Sequence, residues 1–278
     1  MTRRTMLTSM LAGPLAASYA APTAAWQKRD TTPPTAENLS ATAQIQADHP
    51  RIMALAQTIA NGAKSTRAAA MLTHDWVRDQ IAFGIPPSFY ESTATDVLDA
   101  KVGYCNTKLT LFSALLRAQK IPTRMRMMDL SAQVLGGLFN PGTPYVDHGL
   151  TEVFLGDQWV AVDSYVVDKR LAQAAAKRLS DPSGQVGERA QAKAGFGIHI
   201  DGQADWDGLG SNFIQCLDNG SIANYVLKDH GLFADVADFY QRTPAARNRI
   251  TLLSGLFTRF GSSYINRQID GVRLGQAV

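Results

Sequence analysis

The chain has 278 residues, of which 45% are hydrophobic and 18% charged, so it can bury a sizeable core and is not globally disordered. Its 27 lysines and arginines against 24 aspartates and glutamates give no clustered basic excess of the kind that nucleic acid or an anionic membrane requires. Without Arg3 and Arg4, which lie in a segment that we predict to be removed, 25 basic residues face 24 acidic ones. Two cysteines, Cys105 and Cys216, exclude a disulfide framework and a cysteine-rich zinc site.

The first 25 residues have the pattern of an export signal. Arg3 and Arg4 precede residues 5–25, which contain no charged side chain. The arginine pair is similar to the start of the bacterial twin-arginine signal. A retained membrane anchor is the alternative, but Gly13 and Pro14 interrupt the apolar run. We therefore predict an exported protein, periplasmic or secreted, that is not an integral membrane protein once processed.

Helical patterns dominate the first half of the remaining chain. Residues 26–48 are polar and contain two adjacent prolines, which predicts an exposed lead-in. Apolar periodicity then predicts a helix from Pro50 to Gly62 and a second helix that begins with Ser65 as its cap. A third helix is predicted from about Tyr104 to Gln119, and a proline soon after it forbids its continuation.

Strand patterns follow from Arg124 onward. The clearest strands are predicted at 149–155 and 159–166, on either side of a Gly156-Asp157 turn. Beyond them we predict a solvated helix or helix pair at 169–194, glycine-rich loops at 195–220, and a helix capped by Thr243. Helices followed by paired strands indicate an α+β fold. N-terminal helices would pack on an antiparallel sheet over residues 49–184, with 185–278 as a C-terminal extension of the same globule.

Cys105 is the first residue with a pattern that indicates chemistry. It is predicted to lie at the start of an amphipathic helix, directly after Gly103-Tyr104. The helix dipole and the free N–H groups of the first turn favour a thiolate there. A thiolate in that position is what a cysteine nucleophile needs.

The hairpin predicted around Gly156-Asp157 supplies two partners for such a thiol. If the loop has two residues, Leu150 faces Asp163, and His148 becomes a diagonal neighbour of Asp163 on the same face, with α-carbons about 7 to 8 Å apart. A three-residue loop would separate them. The carboxylate would orient the imidazole, which would take the thiol proton. The backbone N–H of Cys105 is one candidate oxyanion donor, and the second stays open.

At these residues the chain resembles the transglutaminase-like superfamily, whose papain-related fold sets a helix bearing the cysteine against a sheet bearing the histidine and aspartate. The matching stretches are Gly103-Tyr104-Cys105, residues 115–124, residues 148–153 and residues 159–163. The resemblance implies Cys105 as nucleophile, His148 as base and Asp163 as orienting acid, with no cofactor and no metal. Asn106 stands where many relatives, notably the animal cross-linking enzymes, have tryptophan, which weakens any inference of glutamine-lysine cross-linking.

We therefore expect thiol-dependent acyl chemistry, hydrolysis or transfer, on the amide or peptide bonds of a peptide or protein substrate such as one of the cell envelope. Tyr104, Asn106, Trp159 and Tyr165 are substrate-pocket candidates, and core packing is the alternative role for the three aromatic residues. A different class of function also stays open. In that alternative the protein is a non-catalytic envelope binding or scaffolding protein that keeps the fold and holds Cys105 in a disulfide with Cys216.

Overall fold

The structure is a computed structural model that describes residues 28–132, 143–179, 204–213, 225–244, 246 and 261–275. The predicted export signal and Cys216 lie outside these residues, as do most of the predicted glycine-rich loops. Among the described residues, no helix combines the length and the apolar character that crossing a bilayer requires.

The described residues form an α+β fold. The helices are α1 (Pro50–Ala60), α2 (Thr66–Gln80), α3 (Ala94–Ala100), α4 (Cys105–Ala118), α5 (Lys169–Leu179), α6 (Val236–Arg242) and α7 (Ser262–Arg273). The strands are β1 (Ala82–Phe83), β2 (Val102–Gly103), β3 (Thr123–Ser131), β4 (Tyr145–Leu155), β5 (Gln158–Val162) and β6 (Val226–Phe233). β1 and β2 pair in parallel as a short separate sheet.

Local capping chemistry starts the N-terminal helices where the sequence predicts them. The Ser65 side chain accepts a hydrogen bond from the backbone N–H of Ala68 at 3.1 Å, and α2 follows it. α1 begins at Pro50, a residue that suits the first helical turn. Helix α3 was not predicted, although Thr93 and Asp96 form a capping box at its start. The predicted starts of α1, α2 and α4 and the predicted ends of α1 and α4 are confirmed to within two residues.

The larger sheet has the strand order β5-β4-β3-β6, and all its neighbours are antiparallel. Leu155 pairs with Gln158, so Gly156 and Asp157 alone form the loop, with φ angles of 57° and 67°. Positive φ at both positions is the conformation of the tight hairpin turn whose twist matches that of its strands. The two-residue loop predicted from the sequence is therefore confirmed.

The second strand of this hairpin is shorter than predicted. β5 ends at Val162, because the Asp163 N–H bonds the Asn212 carbonyl at 3.1 Å and the Val166 N–H turns back to the Asp163 carbonyl at 2.9 Å. The chain therefore leaves the sheet at Asp163 instead of continuing as a strand to Val166.

Helix α4 is the centre of the core. It packs against β3 and β4 of the sheet and against the helices α1, α2 and α3. The core side chains of α4 are completely buried; they are Leu109, Leu111, Phe112, Leu115 and Leu116. Because α4 is enclosed by the sheet and the helices, its first residue is held in a fixed position relative to β4.

Segments before and after this core also contribute buried residues or a strand to it. The predicted exposed lead-in, 26–48, ends earlier, because Gln44, Ile45 and Ala47 are buried. The segment predicted as an extension, 185–278, supplies β6, which pairs with β3 inside the main sheet. The pattern of β6 gave no strand prediction, since most of its side chains stay exposed or half-exposed and lack an alternating apolar face.

Candidate active site

Cys105 is the first residue of α4, and its side chain is partly exposed and carries a free thiol. Two residues earlier, Gly103 occupies a position where a larger residue would not fit. A β-carbon at Gly103 would lie 2.8 Å from Thr107 Oγ1 and 2.9 Å from Lys108 Cγ. The thiol lies 3.4 Å from Asn106 Oδ1. Because it starts a helix, Cys105 is surrounded by backbone N–H groups that have no partner within the helix.

His148 and Asp163 are in direct contact. His148 Nε2 lies 2.7 Å from Asp163 Oδ2, and both side chains are buried. The two-residue turn produces this contact, because it sets the register in which Asp163 follows the end of β5 beside His148 on β4. The contact between His148 and Asp163 that the sequence predicts is therefore present.

Cys105 also interacts with His148 and changes its protonation. Burial alone would lower the pKa of His148, but the charge on Cys105 and the hydrogen bonds to Asp163 and Cys105 raise that pKa to about 10. Asp163 bonds Nε2, which leaves Nδ1 as the ring nitrogen available for a second hydrogen bond. The raised pKa favours the protonated, imidazolium form of His148 at neutral pH.

A second glycine permits β4 to approach α4 closely beside these groups. A β-carbon at Gly149 would lie 2.9 Å from Leu109 Cδ2 and from Met127 Sδ, and 3.1 Å from Asn106 Oδ1. Such contacts are closer than van der Waals packing allows. Because Gly149 has no side chain, β4 can lie close to α4 next to the titratable His148.

Two of the four predicted pocket residues lie beside Cys105. The Tyr104 ring stacks on Phe89 at 5.2 Å between ring centroids, and its buried hydroxyl has no hydrogen-bond partner among the described residues. Burial, followed by the charges of Asp147 and Cys105, raises the pKa of Tyr104 well above 10. Asn106 is buried, and its Nδ2 donates to Asp147 Oδ2 at 2.8 Å.

The other two predicted pocket residues, Trp159 and Tyr165, are buried among other side chains. Trp159 lies at the turn end of the hairpin, where its Nε1 donates to the Thr32 carbonyl and the Arg124 guanidinium stacks on its ring at 4.2 Å. Tyr165 is completely buried against Phe112, and its hydroxyl bonds Thr151 at 2.8 Å. Both residues therefore belong to the packing of the core, the alternative role named above.

Sequence reasoning missed Asp147 and Tyr240 as members of the site. Tyr240, on α6, bonds both Asn106 and Asp147. The position of Asp147 directly before His148 was a usable signal. No comparable signal existed for Tyr240, since it is 135 positions from Cys105 and its helix was not predicted.

Comparisons with known proteins support the same family as the sequence motifs. Residues 53–164, which include Cys105, His148 and Asp163, match the family model described as the transglutaminase-like superfamily core. One solved structure, a candidate cysteine protease from Cytophaga hutchinsonii, shares 19% identity with a TM-score of 0.38 over 45% of this chain. The aligned part spans 39% of that structure's chain. No curated protein matches the sequence. Residues 53–164 are similar to a transglutaminase-like core.

Proposed function

We propose that the protein performs thiol-dependent acyl chemistry on amide or peptide bonds, with Cys105 as nucleophile, His148 as base and Asp163 as orienting acid. The observation that carries the proposal is that one buried imidazole interacts with both other groups. His148 lies 2.7 Å from Asp163 and shares a hydrogen bond with the side chain of Cys105. A nucleophile, a base and an orienting acid connected in this order are the arrangement of covalent thiol catalysis.

In the proposed reaction, His148 Nδ1 holds the proton of the Cys105 thiol, and the thiolate attacks the acyl carbon. The oxyanion accepts a hydrogen bond from the backbone N–H of Cys105, which the helix leaves free. The C–N bond then breaks as the imidazolium transfers its proton to the departing amine. A thioester on Cys105 remains. Attack of water, with its proton taken by His148, releases the acid and restores the thiol.

The proposed substrate is a peptide or protein, and hydrolysis is the preferred outcome because water is always present. We also propose that the arginine pair and the apolar residues 5–25 direct export to the periplasm or the exterior. A bacterial cell envelope would then offer peptide linkages as substrates. Nucleic acid is not a proposed partner, because the charge of the chain is nearly balanced.

Substitution of the proposed nucleophile, Cys105, tests the proposal. Cys105→Ala should reduce peptide-bond cleavage, measured as new amino groups from a mixture of peptides, to the level of a protein-free blank. Its circular dichroism spectrum and unfolding midpoint should stay unchanged. A labelled primary amine added to the same reaction distinguishes transfer from hydrolysis. Equal cleavage by the wild type and Cys105→Ala would refute the proposal.

The non-catalytic alternative makes a different prediction about the thiols. A scaffold with a Cys105–Cys216 disulfide should show no free thiol under non-reducing denaturing conditions, whereas the proposed enzyme should show Cys105 free.

A further inference from the structure

One hydrogen bond joins α4 to β4 directly beside the two reactive side chains. Asn106 follows Cys105 in the chain, Asp147 precedes His148, and Asn106 Nδ2 donates to Asp147 Oδ2 at 2.8 Å. The other end of the same amide, Oδ1, lies 3.4 Å from the Cys105 sulfur. The Asn106 side chain therefore connects the thiol to the Asp147 carboxylate.

Tyr240 contacts both partners of this hydrogen bond. Its hydroxyl donates to Asp147 Oδ2 and accepts from Asn106 Nδ2 at 3.3 Å. Burial, and after it the charge of Asp147, raises the pKa of Tyr240 well above 10, so the hydroxyl remains a donor at all relevant pH values. Tyr240 comes from α6, outside the residues 53–164 that match the family model.

The surrounding structure holds Tyr240 in this position. The Asp235 side chain caps α6 by accepting from the Asp238 N–H at 2.8 Å. Gln44 bonds the Ala237 N–H with its Oε1 and the Tyr90 carbonyl with its Nε2, each at 2.8 Å. The ring of Tyr90 in turn packs edge-on against that of Tyr240, at 5.2 Å between centroids. Because several contacts hold Tyr240 in place, its hydroxyl in turn restricts the positions of Asn106 and Asp147.

The charge of Asp147 makes this arrangement important for the thiol. A carboxylate near a sulfur opposes formation of the thiolate, unless donors draw the negative charge away. Asn106 and Tyr240 are two such donors, and both bond the same oxygen of Asp147.

Other titratable groups also lie around the site on the neighbouring elements. His148 on β4 and Asp163 after β5 act through the imidazole, and Tyr104 and Tyr90 approach from the segments before α4. On β3, Asp129 lies directly opposite Asp147, and His230 of β6 lies 3.1 Å from the Asp129 carboxylate.

We propose that Tyr240 is a positioning residue of the site, which fixes Asn106 against Cys105 and holds the charge of Asp147 away from the sulfur. This inference rests on the proposed function for its biological meaning. Under this inference the C-terminal segment is part of the site, because α6 lies outside residues 53–164 and supplies the Tyr240 hydroxyl.

Tyr240→Phe removes only the hydroxyl, and its test is the pH profile of Cys105 alkylation by iodoacetamide, followed by mass spectrometry of the Cys105 peptide. We expect the midpoint of the profile to shift to higher pH and the rate at pH 7 to fall about 3- to 10-fold, the size of effect of losing one hydrogen bond of ordinary strength. Tyr264→Phe is the matched control, because Tyr264 on α7 is 57% exposed. A merely structural role for Tyr240 would not move the pH midpoint.

Asp147→Asn completes a double-mutant cycle. It removes the charge, so we expect the midpoint to move to lower pH and Tyr240→Phe to have little further effect in that background. Equal profiles for Tyr240→Phe, Tyr264→Phe and the wild type would overturn the inference. If Tyr240→Phe does not fold, an unchanged midpoint in Asp147→Asn overturns it instead. If His148→Ala leaves the pH profile of Cys105 alkylation unchanged in the same assay, the proposed function fails instead. The failure of the inference and the failure of the proposed function are therefore distinguishable.

Discussion

At the scale of single residues, the site is surrounded by buried polar groups, and Lys108 is the most unusual of them. It lies one turn after Cys105 on α4, is completely buried, and donates from Nζ to the Ile81 carbonyl at 2.6 Å near the end of α2. Burial lowers its pKa from 10.5 to about 7, although the charges of Asp168 and Asp79 oppose the change. The side chain therefore links two core helices without requiring a charge above neutral pH.

This lowered pKa predicts a pH dependence of stability. Between pH 7 and 10.5 the unfolded chain holds a proton on Lys108 that the folded chain does not, so Lys108 makes the free energy of unfolding rise with pH there. His148, with its pKa raised from 6.5 to about 10, acts in the opposite direction over nearly the same range. Lys108→Met should therefore make the free energy of unfolding fall with pH, relative to the wild type, by about 1.4 kcal/mol per pH unit between pH 7 and 10.

Urea unfolding at several pH values measures this slope. Lys64→Met is the matched control, because it makes the same change at an exposed position before α2 and should leave the slope unchanged. Parallel stability curves for the wild type and Lys108→Met would contradict the low pKa of the buried lysine.

At the scale of elements, the β4–β5 hairpin decides whether the imidazole meets its carboxylate. Its turn needs positive φ at Gly156 and Asp157, a region that β-branched residues avoid. Gly156→Val should reduce the free energy of unfolding by about 1 to 2 kcal/mol, the usual cost of a strained backbone position. Gly210→Val is the control, since Gly210 has ordinary φ and open space around its α-carbon. Equal losses of stability in denaturant titrations would show that the turn geometry is not the cause.

The same hairpin shows why part of the site could be predicted from sequence. A two-residue glycine turn between apolar strands fixes the register, and the register brings His148 and Asp163 together. The amphipathic pattern of α4 likewise predicted that Cys105 lies at the start of a helix. These are local rules that need only a few neighbouring residues. Trp159 and Tyr165 were named as pocket candidates because they are close in sequence to the site, and closeness in sequence alone does not separate a pocket role from core packing.

At the scale of the whole molecule, the segments outside the matched core complete it. β6 extends the sheet beside β3, and α7 is attached through Arg273, whose Nη2 lies 2.8 Å from both Asp168 Oδ2 and the Phe83 carbonyl. Tyr240 reaches the site from α6. Such long-range contacts could not be predicted from the sequence, because they depend on packing between segments more than 90 residues apart.

The central claim is that Cys105 and His148 form an activated pair within this assembly. The most direct test is the rate of Cys105 alkylation by iodoacetamide as a function of pH, in the signal-free wild type and in His148→Ala. We predict that the wild-type thiol reacts well below pH 8.5, the ordinary midpoint of a free cysteine, and that His148→Ala loses this reactivity. A wild-type thiol that is blocked, or that follows the profile of an ordinary cysteine in both proteins, would contradict the account.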